Sequence, residues 1–182
     1  MTVSEFKKID STFNESMFLT KVNNIFVKFL TSIMLDKMSD VDHFVSDKVY
    51  NYGLDILNNA KSQGCRQMYE ELNVKDSSIE EIEVNENVYI IKVYLQSRYM
   101  DYIINLSDGT VKGNDSSRIN VNYRLTFVKK TTAQEQGIVR KCPTCGAPLS
   151  VNTSGKCEYC GSIYNQEDYD WVLNGLEVLN RR

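Results

Sequence analysis

The 182-residue sequence has no long hydrophobic run and no excess of basic residues. Its N-terminus is polar and lacks the apolar segment of a signal peptide, and the most apolar stretch, Ile25 to Leu35, is short and contains Lys28. The 21 basic and 24 acidic side chains are spread along the chain, so no basic patch attracts a phosphate backbone. We therefore expect a cytoplasmic protein that binds no nucleic acid and at most associates peripherally with the inner face of a membrane.

Histidine is nearly absent, since His43 is the only one in the chain. A catalytic interpretation would make His43 a general base paired with Asp40 or Asp42. No serine nucleophile, second histidine or glycine-rich phosphate loop accompanies it. The sequence therefore favours a partly exposed helical residue beside acids that suit the first turn of a helix.

Two segments near the N-terminus have the apolar spacing of amphipathic helices. Thr12 and Glu15 have the spacing of a capping box, and apolar residues at intervals of three and four follow from Phe18 to Ile33. A second helical pattern extends from near Ser39 to a left-handed cap at Gly64, with Ser46 capping a break within it.

From Gln67 onward the apolar period changes to two, which is typical of strands. Tyr89 to Leu95 and Val121 to Phe127 each place their apolar residues on one face, and Ser107 to Thr110 has the composition of a turn. Because the strands follow the helices without alternating crossovers, the sequence predicts an α+β domain with N-terminal helices packed on a curved antiparallel sheet.

The chain divides into four predicted parts. Residues 1–130 are assigned to the α+β domain, 131–140 to a polar linker, 141–165 to a small cysteine-rich module and 166–182 to a short C-terminal helix. The helix is predicted from the spacing of Val172, Leu176 and Leu179.

Four of the five cysteines form two C-x-x-C pairs, each followed by glycine: Cys142, Cys145, Cys157 and Cys160. Two intervening residues let a tight turn direct both sulfurs at one ion, and four thiolates make a closed tetrahedral site. We predict one structural zinc per chain, in a zinc ribbon, with Cys65 uninvolved. A rubredoxin-like iron site, two disulfides and a redox dithiol are the alternatives.

Apolar residues on the predicted helix and sheet faces are candidates for the lining of a pocket. They are Phe18, Phe26, Phe29, Tyr89, Val93, Tyr123 and Phe127. Aromatic residues at regular spacing usually pack against one another, so a pocket forms only if these side chains leave space between helices and sheet.

Several segments together resemble a known family. They are the Phe-rich first helix, Asp40 to Tyr50, the hairpin ending in Ser107-Asp108-Gly109, the strand Tyr123 to Phe127 and the segment Asp170 to Leu173. The chain resembles the C-terminal domain of the mitochondrial inner-membrane translocase subunit 44, in the bacterial variety that carries a zinc ribbon after the sheet. The resemblance implies a nuclear transport factor 2-like, cystatin-like cone with an apolar pocket.

The resemblance also bears on function. The mitochondrial domain is peripheral to the membrane and tethers an import motor, but the motor-binding region has no counterpart in this sequence, so we expect a binding module without that role. The leading hypothesis is a non-enzymatic, zinc-containing scaffold that binds a protein segment or a lipid through the cone. The alternative is a small-molecule isomerase or hydrolase that uses Asp101 or Asp42 as its acid.

Overall fold

The computed structural model describes residues 1–131, 140–141, 145–149, 159–160 and 170–182. The helices are α1 Val3–Ile9, α2 Glu15–Met34 and α3 Asp47–Ser62, with a 3-10 turn at Met38–Asp40. The strands are β1 Cys65–Val84, β2 Val88–Asn105, β3 Val111–Lys130, β4 Arg140–Lys141, β5 Pro148–Leu149 and β6 Val172–Arg181. The α+β class predicted from the sequence is confirmed, while the cone shape stays a prediction.

Helix α2 begins at a cap that differs from the predicted one. The Asn14 side chain accepts a hydrogen bond from the Met17 N–H at 3.0 Å, whereas the Thr12 hydroxyl donates to Asp10. The capping box predicted at Thr12 and Glu15 is therefore wrong. A capping box with the same T-x-x-E spacing does form at Thr2, where it begins the short helix α1 that the sequence analysis missed.

The second predicted helical segment is divided, as the cap at Ser46 indicated. Its first part is the 3-10 turn, and α3 begins directly after Ser46, whose hydroxyl accepts a hydrogen bond from the Val49 N–H at 3.4 Å. Gly64 follows the end of α3 with φ of +66°, the left-handed conformation predicted there. Both boundary predictions are confirmed.

The main sheet has the strand order β1-β2-β3-β6, and each neighbouring pair is antiparallel. In the β2–β3 hairpin Ile91 is opposite Phe127 and Val93 is opposite Leu125, so the predicted alternating faces coincide. All four of these side chains are fully buried. The inward face of the sheet and the apolar stripe of α2 thus form one core.

The C-terminal segment is a strand, and the prediction of a helix there is wrong. Strand β6 pairs with β3, and register shifts interrupt the pairing at two points. Its residues opposite the buried face of β3 are Leu173, Leu176, Val178 and Arg181, so their spacing is three, two and three. The apolar stripe that predicted a helix, Val172, Leu176 and Leu179, therefore does not share one face of β6, because only Leu176 faces inward and Leu179 lies at a bulge.

Close packing of α3 on α2 depends on Gly53. A Cβ atom built at this position would lie 2.5 Å from Met38 Cε and 2.9 Å from Phe29 Cε2. Gly53→Val is therefore expected to lower the free energy of unfolding by about 1–3 kcal/mol through overpacking. Urea unfolding measures this difference, with Asn51→Val on the exposed side of α3 as the control. Equal stability of the two variants would contradict the inferred contact.

The predicted linker and zinc ribbon lie mostly outside the described residues. Strands β4 and β5 pair with each other, so the two ends of the segment that contains Cys142 and Cys145 are adjacent. Of the four predicted ligands, Cys145 and Cys160 are described and exposed, and Cys142 and Cys157 lie outside the described residues. Gly146, directly after Cys145, has φ of +73°, which matches the tight turn expected after a C-x-x-C pair.

Candidate binding cavities

A cavity of about 560 Å³ lies beside α2, next to the start of β6. We call it the aromatic cavity, because four rings line it: Phe13, Phe18, Phe44 and Trp171. The ring centroids of Phe18 and Trp171 are 5.0 Å apart, and those of Phe13 and Phe18 are 5.5 Å apart. Such edge and tilted contacts hold the rings in place, so this wall of the cavity is preformed.

Charged side chains of both signs complete the aromatic cavity. Lys21 forms an ion pair with Asp170, and Lys129 Nζ lies 3.1 Å from the Asp10 carboxylate. The ammonium group of Lys28 lies 4.9 Å from the centroid of the Phe44 ring. No local sequence pattern indicates these ion pairs, because their partners are 149 and 119 positions apart in the chain.

The ion pair between Asp10 and Lys129 should make stability depend on pH. Burial opposes ionisation, but hydrogen bonds from Thr12 and Lys129 hold the pKa of Asp10 below its usual value. The pair therefore stabilises the fold above about pH 4, where an unfolded Asp is ionised, and this contribution is lost as the pH falls through the lower folded pKa.

At neutral pH, Asp10→Asn is expected to be about 1–3 kcal/mol less stable than the parent protein. As the pH falls, the free energy of unfolding should decrease less in Asp10→Asn than in the parent protein. Urea unfolding at a series of pH values measures both effects. Lys129→Gln, which removes the other partner, should show the same loss at neutral pH. An unchanged acid dependence in Asp10→Asn would refute the assigned role of the pair.

A second cavity, of about 270 Å³, lies between α3 and the sheet. We call it the tyrosine cavity, because its lining includes three tyrosines, Tyr52, Tyr69 and Tyr123. Asp101 also lines it, on β2, and its two carboxylate oxygens accept hydrogen bonds from Gln67 at 2.8 Å and from Arg181 at 2.6 Å. Both oxygens are thus already engaged, which disfavours the catalytic role considered for Asp101 from the sequence.

Burial keeps the hydroxyls of Tyr69 and Tyr123 protonated at physiological pH. Burial raises the pKa of Tyr69, and the charge of Asp101 raises it further. Burial also raises the pKa of Tyr123 to about 12, although a hydrogen bond from Tyr99 and the charge of Arg181 lower it. The Tyr99 and Tyr123 hydroxyls lie 2.5 Å apart, and burial raises the pKa of Tyr99 too.

The seven predicted pocket residues are all buried, but they are not brought together around one cavity. Phe18 lines the aromatic cavity, and Phe29 and Tyr123 line the tyrosine cavity. The other four lie in the shared core: Phe26, Tyr89, Val93 and Phe127. Their involvement in ligand binding stays a prediction.

His43 lies in the chain segment before α3 and is largely buried. Its Nε2 is 2.6 Å from Asp42 Oδ1. Neither residue is among those that line the aromatic or the tyrosine cavity. The pair therefore has the geometry of a local structural contact, away from both described cavities.

Comparison with known proteins adds a family assignment. None of the curated proteins matches the chain. Among solved structures, the crystal structure of the intermembrane space region of chloroplast protein ARC6 is similar at 8% sequence identity and a TM-score of 0.45, covering 98% of this chain and 97% of that one. No helix within the described residues is long and apolar enough to cross a membrane. The sequence profile of the Tim44-like domain matches residues 1–138, and the chain therefore belongs to the Tim44-like domain family.

Proposed function

We propose that this protein is a non-enzymatic binding module that holds an apolar group of a protein segment in the aromatic cavity. One observation carries the proposal: four aromatic rings line an open space of about 560 Å³ at the edge of the core. An apolar side chain entering this space removes its own surface and that of the rings from water. Family membership supports a binding or scaffold role.

The charges around the aromatic cavity favour a polypeptide over an anionic lipid as the ligand. Three lysines and two aspartates line it, and two of the lysines are already paired with those aspartates. The whole chain carries a net charge of -3. Attraction to an anionic membrane surface should therefore be weak, whereas mixed charges suit the polar side of an amphipathic segment.

The only tryptophan of the chain, Trp171, reports directly on occupancy of the aromatic cavity. Its fluorescence is expected to shift in a saturable way when a model amphipathic helical peptide is added. Asn24→Phe places a ring among the cavity-lining residues of α2 and should abolish the shift, while Asn58→Phe on the exposed side of α3 should leave it intact. A parent protein with no peptide response, or equal responses in both variants, would contradict the proposal.

Vesicles provide the second arm of this experiment. Flotation with zwitterionic and anionic vesicles, each at moderate and high salt, is expected to show weak binding that salt changes little. Tight binding to anionic vesicles that high salt removes would identify a charge-driven membrane protein instead. Tight, salt-independent binding that Asn24→Phe abolishes would identify lipid as the occupant of the aromatic cavity.

The proposed module also contains one structural zinc bound by Cys142, Cys145, Cys157 and Cys160. The positive φ of Gly146 and the pairing of β4 with β5 support a metal-binding turn around the first cysteine pair. Because β3 and β6 are neighbours in the sheet, the zinc ribbon is an insertion between two paired strands. The metal would stabilise that insertion and has no proposed part in ligand binding.

A further inference from the structure

The tyrosine cavity is separate from the proposed binding site, since it shares no lining residue with the aromatic cavity. Residues from both long helices and from β1, β2, β3 and β6 line it. Its walls include apolar side chains such as Leu30, Ile56, Ile103 and Leu176. A cavity of about 270 Å³ is slightly smaller than the usual range for drug-sized ligands, so its size suits a small molecule.

Tyr69 brings an unpartnered polar group to this cavity. The residue is 8% exposed, and its hydroxyl has no hydrogen-bond partner within the part of the chain that the structure describes. The hydroxyl oxygen is not among the described side-chain atoms that are shielded from solvent without a partner, so it is accessible from the cavity and can form a hydrogen bond with a ligand that enters it. Because burial keeps this hydroxyl protonated, it can donate a hydrogen bond.

Arg181 supplies a permanent positive charge on the same cavity. One of its N–H groups donates to Asp101, and the other four have no partner among the described residues. The guanidinium is half exposed, whereas the Asp101 side chain is 15% exposed. Arg181 can therefore keep its contact with Asp101 and also donate to a ligand that enters from solvent.

Several hydrogen-bond donors in the tyrosine cavity are available to a ligand. The Tyr69 hydroxyl and the remaining N–H groups of Arg181 are available, and Tyr123 can donate when it accepts from Tyr99. Both oxygens of Asp101 already accept hydrogen bonds. A ligand that accepts hydrogen bonds suits these donors, and a neighbouring guanidinium favours an acceptor with negative charge.

We propose that the tyrosine cavity is a binding site for a small carboxylate with a compact apolar body. The carboxylate would accept hydrogen bonds from the Tyr69 hydroxyl and the Arg181 guanidinium, while the apolar body contacts Ile103 and Leu176. Asp101 weakens this binding, because its negative charge repels the ligand and its carboxylate already accepts a hydrogen bond from Arg181. The site is independent of the aromatic cavity, so failure of either proposal leaves the other standing.

Benzoate and benzamide make a matched pair of probes, since they share a shape and differ in charge. Isothermal titration calorimetry of the full chain at constant ionic strength is expected to show one benzoate site and at least tenfold weaker binding of benzamide. Tyr69→Phe and Arg181→Gln should each weaken benzoate binding about tenfold or more, because each removes a hydrogen bond to a charged group. Asp101→Asn should strengthen it.

Tyr89→Phe is the control, because it removes a tyrosine hydroxyl from a residue that lines neither described cavity. It should bind benzoate as the parent protein does. Far-UV circular dichroism confirms that each variant is folded before titration. The proposal is overturned if the parent protein does not bind benzoate at its highest usable concentration. It is also overturned if benzamide binds equally well, or if folded Tyr69→Phe and Arg181→Gln keep the parent affinity.

Discussion

Leu173→Ala is expected to lower the free energy of unfolding by about 2–5 kcal/mol, the usual cost of truncating a buried leucine. Leu173 is fully buried on β6, opposite Phe127 of β3. Its backbone also bonds the chain before α3, since the Leu173 N–H donates to the Phe44 carbonyl and its carbonyl accepts from the Ser46 N–H. The side chain thus lies where the last strand joins the helices to the sheet.

Leu179→Ala is the matched control and distinguishes the strand from the predicted helix. In a helix docked through Val172, Leu176 and Leu179, stability would depend on the Leu179 side chain. Leu173 would then lie off the docking face. In β6, Leu179 lies at a register shift and is partly exposed, so its truncation should cost about 1 kcal/mol or less. Urea unfolding of both variants measures the two losses in the free energy of unfolding. A larger loss in Leu179→Ala than in Leu173→Ala would contradict the observed register.

The same strand shows where local pattern fails as a guide to structure. The stripe of α2 and the alternation in β2 and β3 could be predicted, because regular elements repeat their apolar residues at fixed intervals. Bulges in β6 add residues to the strand, so its inward side chains lose the period of two. The conformation of this segment is determined by its pairing with β3, and no local sequence pattern indicates that pairing.

Less of the candidate sites than of the fold could be predicted from the sequence. Of the predicted pocket residues, Phe18 lines the aromatic cavity, whereas Phe13 and Trp171 reach it from segments far apart in the chain. In the tyrosine cavity, Asp101 was a candidate acid, yet its partner Arg181 belongs to the strand that was predicted as a helix. Long-range contacts therefore determine both sites, and no local pattern encodes them.

The cysteine pairs lead to the prediction with the largest expected effect. Purified protein should be colourless and contain about one equivalent of zinc, and Cys145→Ser should contain almost none. Structural zinc contributes on the order of 10 kcal/mol to the folding of small modules, so the zinc ribbon is expected to unfold when one ligand is lost. Cys65→Ser, which alters the fifth cysteine, should keep its full zinc content.

Loss of zinc is not expected to unfold the remainder of the chain. Helices α1, α2 and α3 pack in a core with the main sheet, and the described core residues all belong to segments 1–131 and 170–182. Without metal the insertion need only connect β3 to β6, and closing such a loop costs only a few kcal/mol because the cost grows slowly with length. Elemental analysis and far-UV circular dichroism of Cys145→Ser should therefore show lost zinc and a retained helical signal. Red protein with stoichiometric iron would refute the zinc assignment, and loss of the helical signal would show that the ribbon and the core fold as one unit.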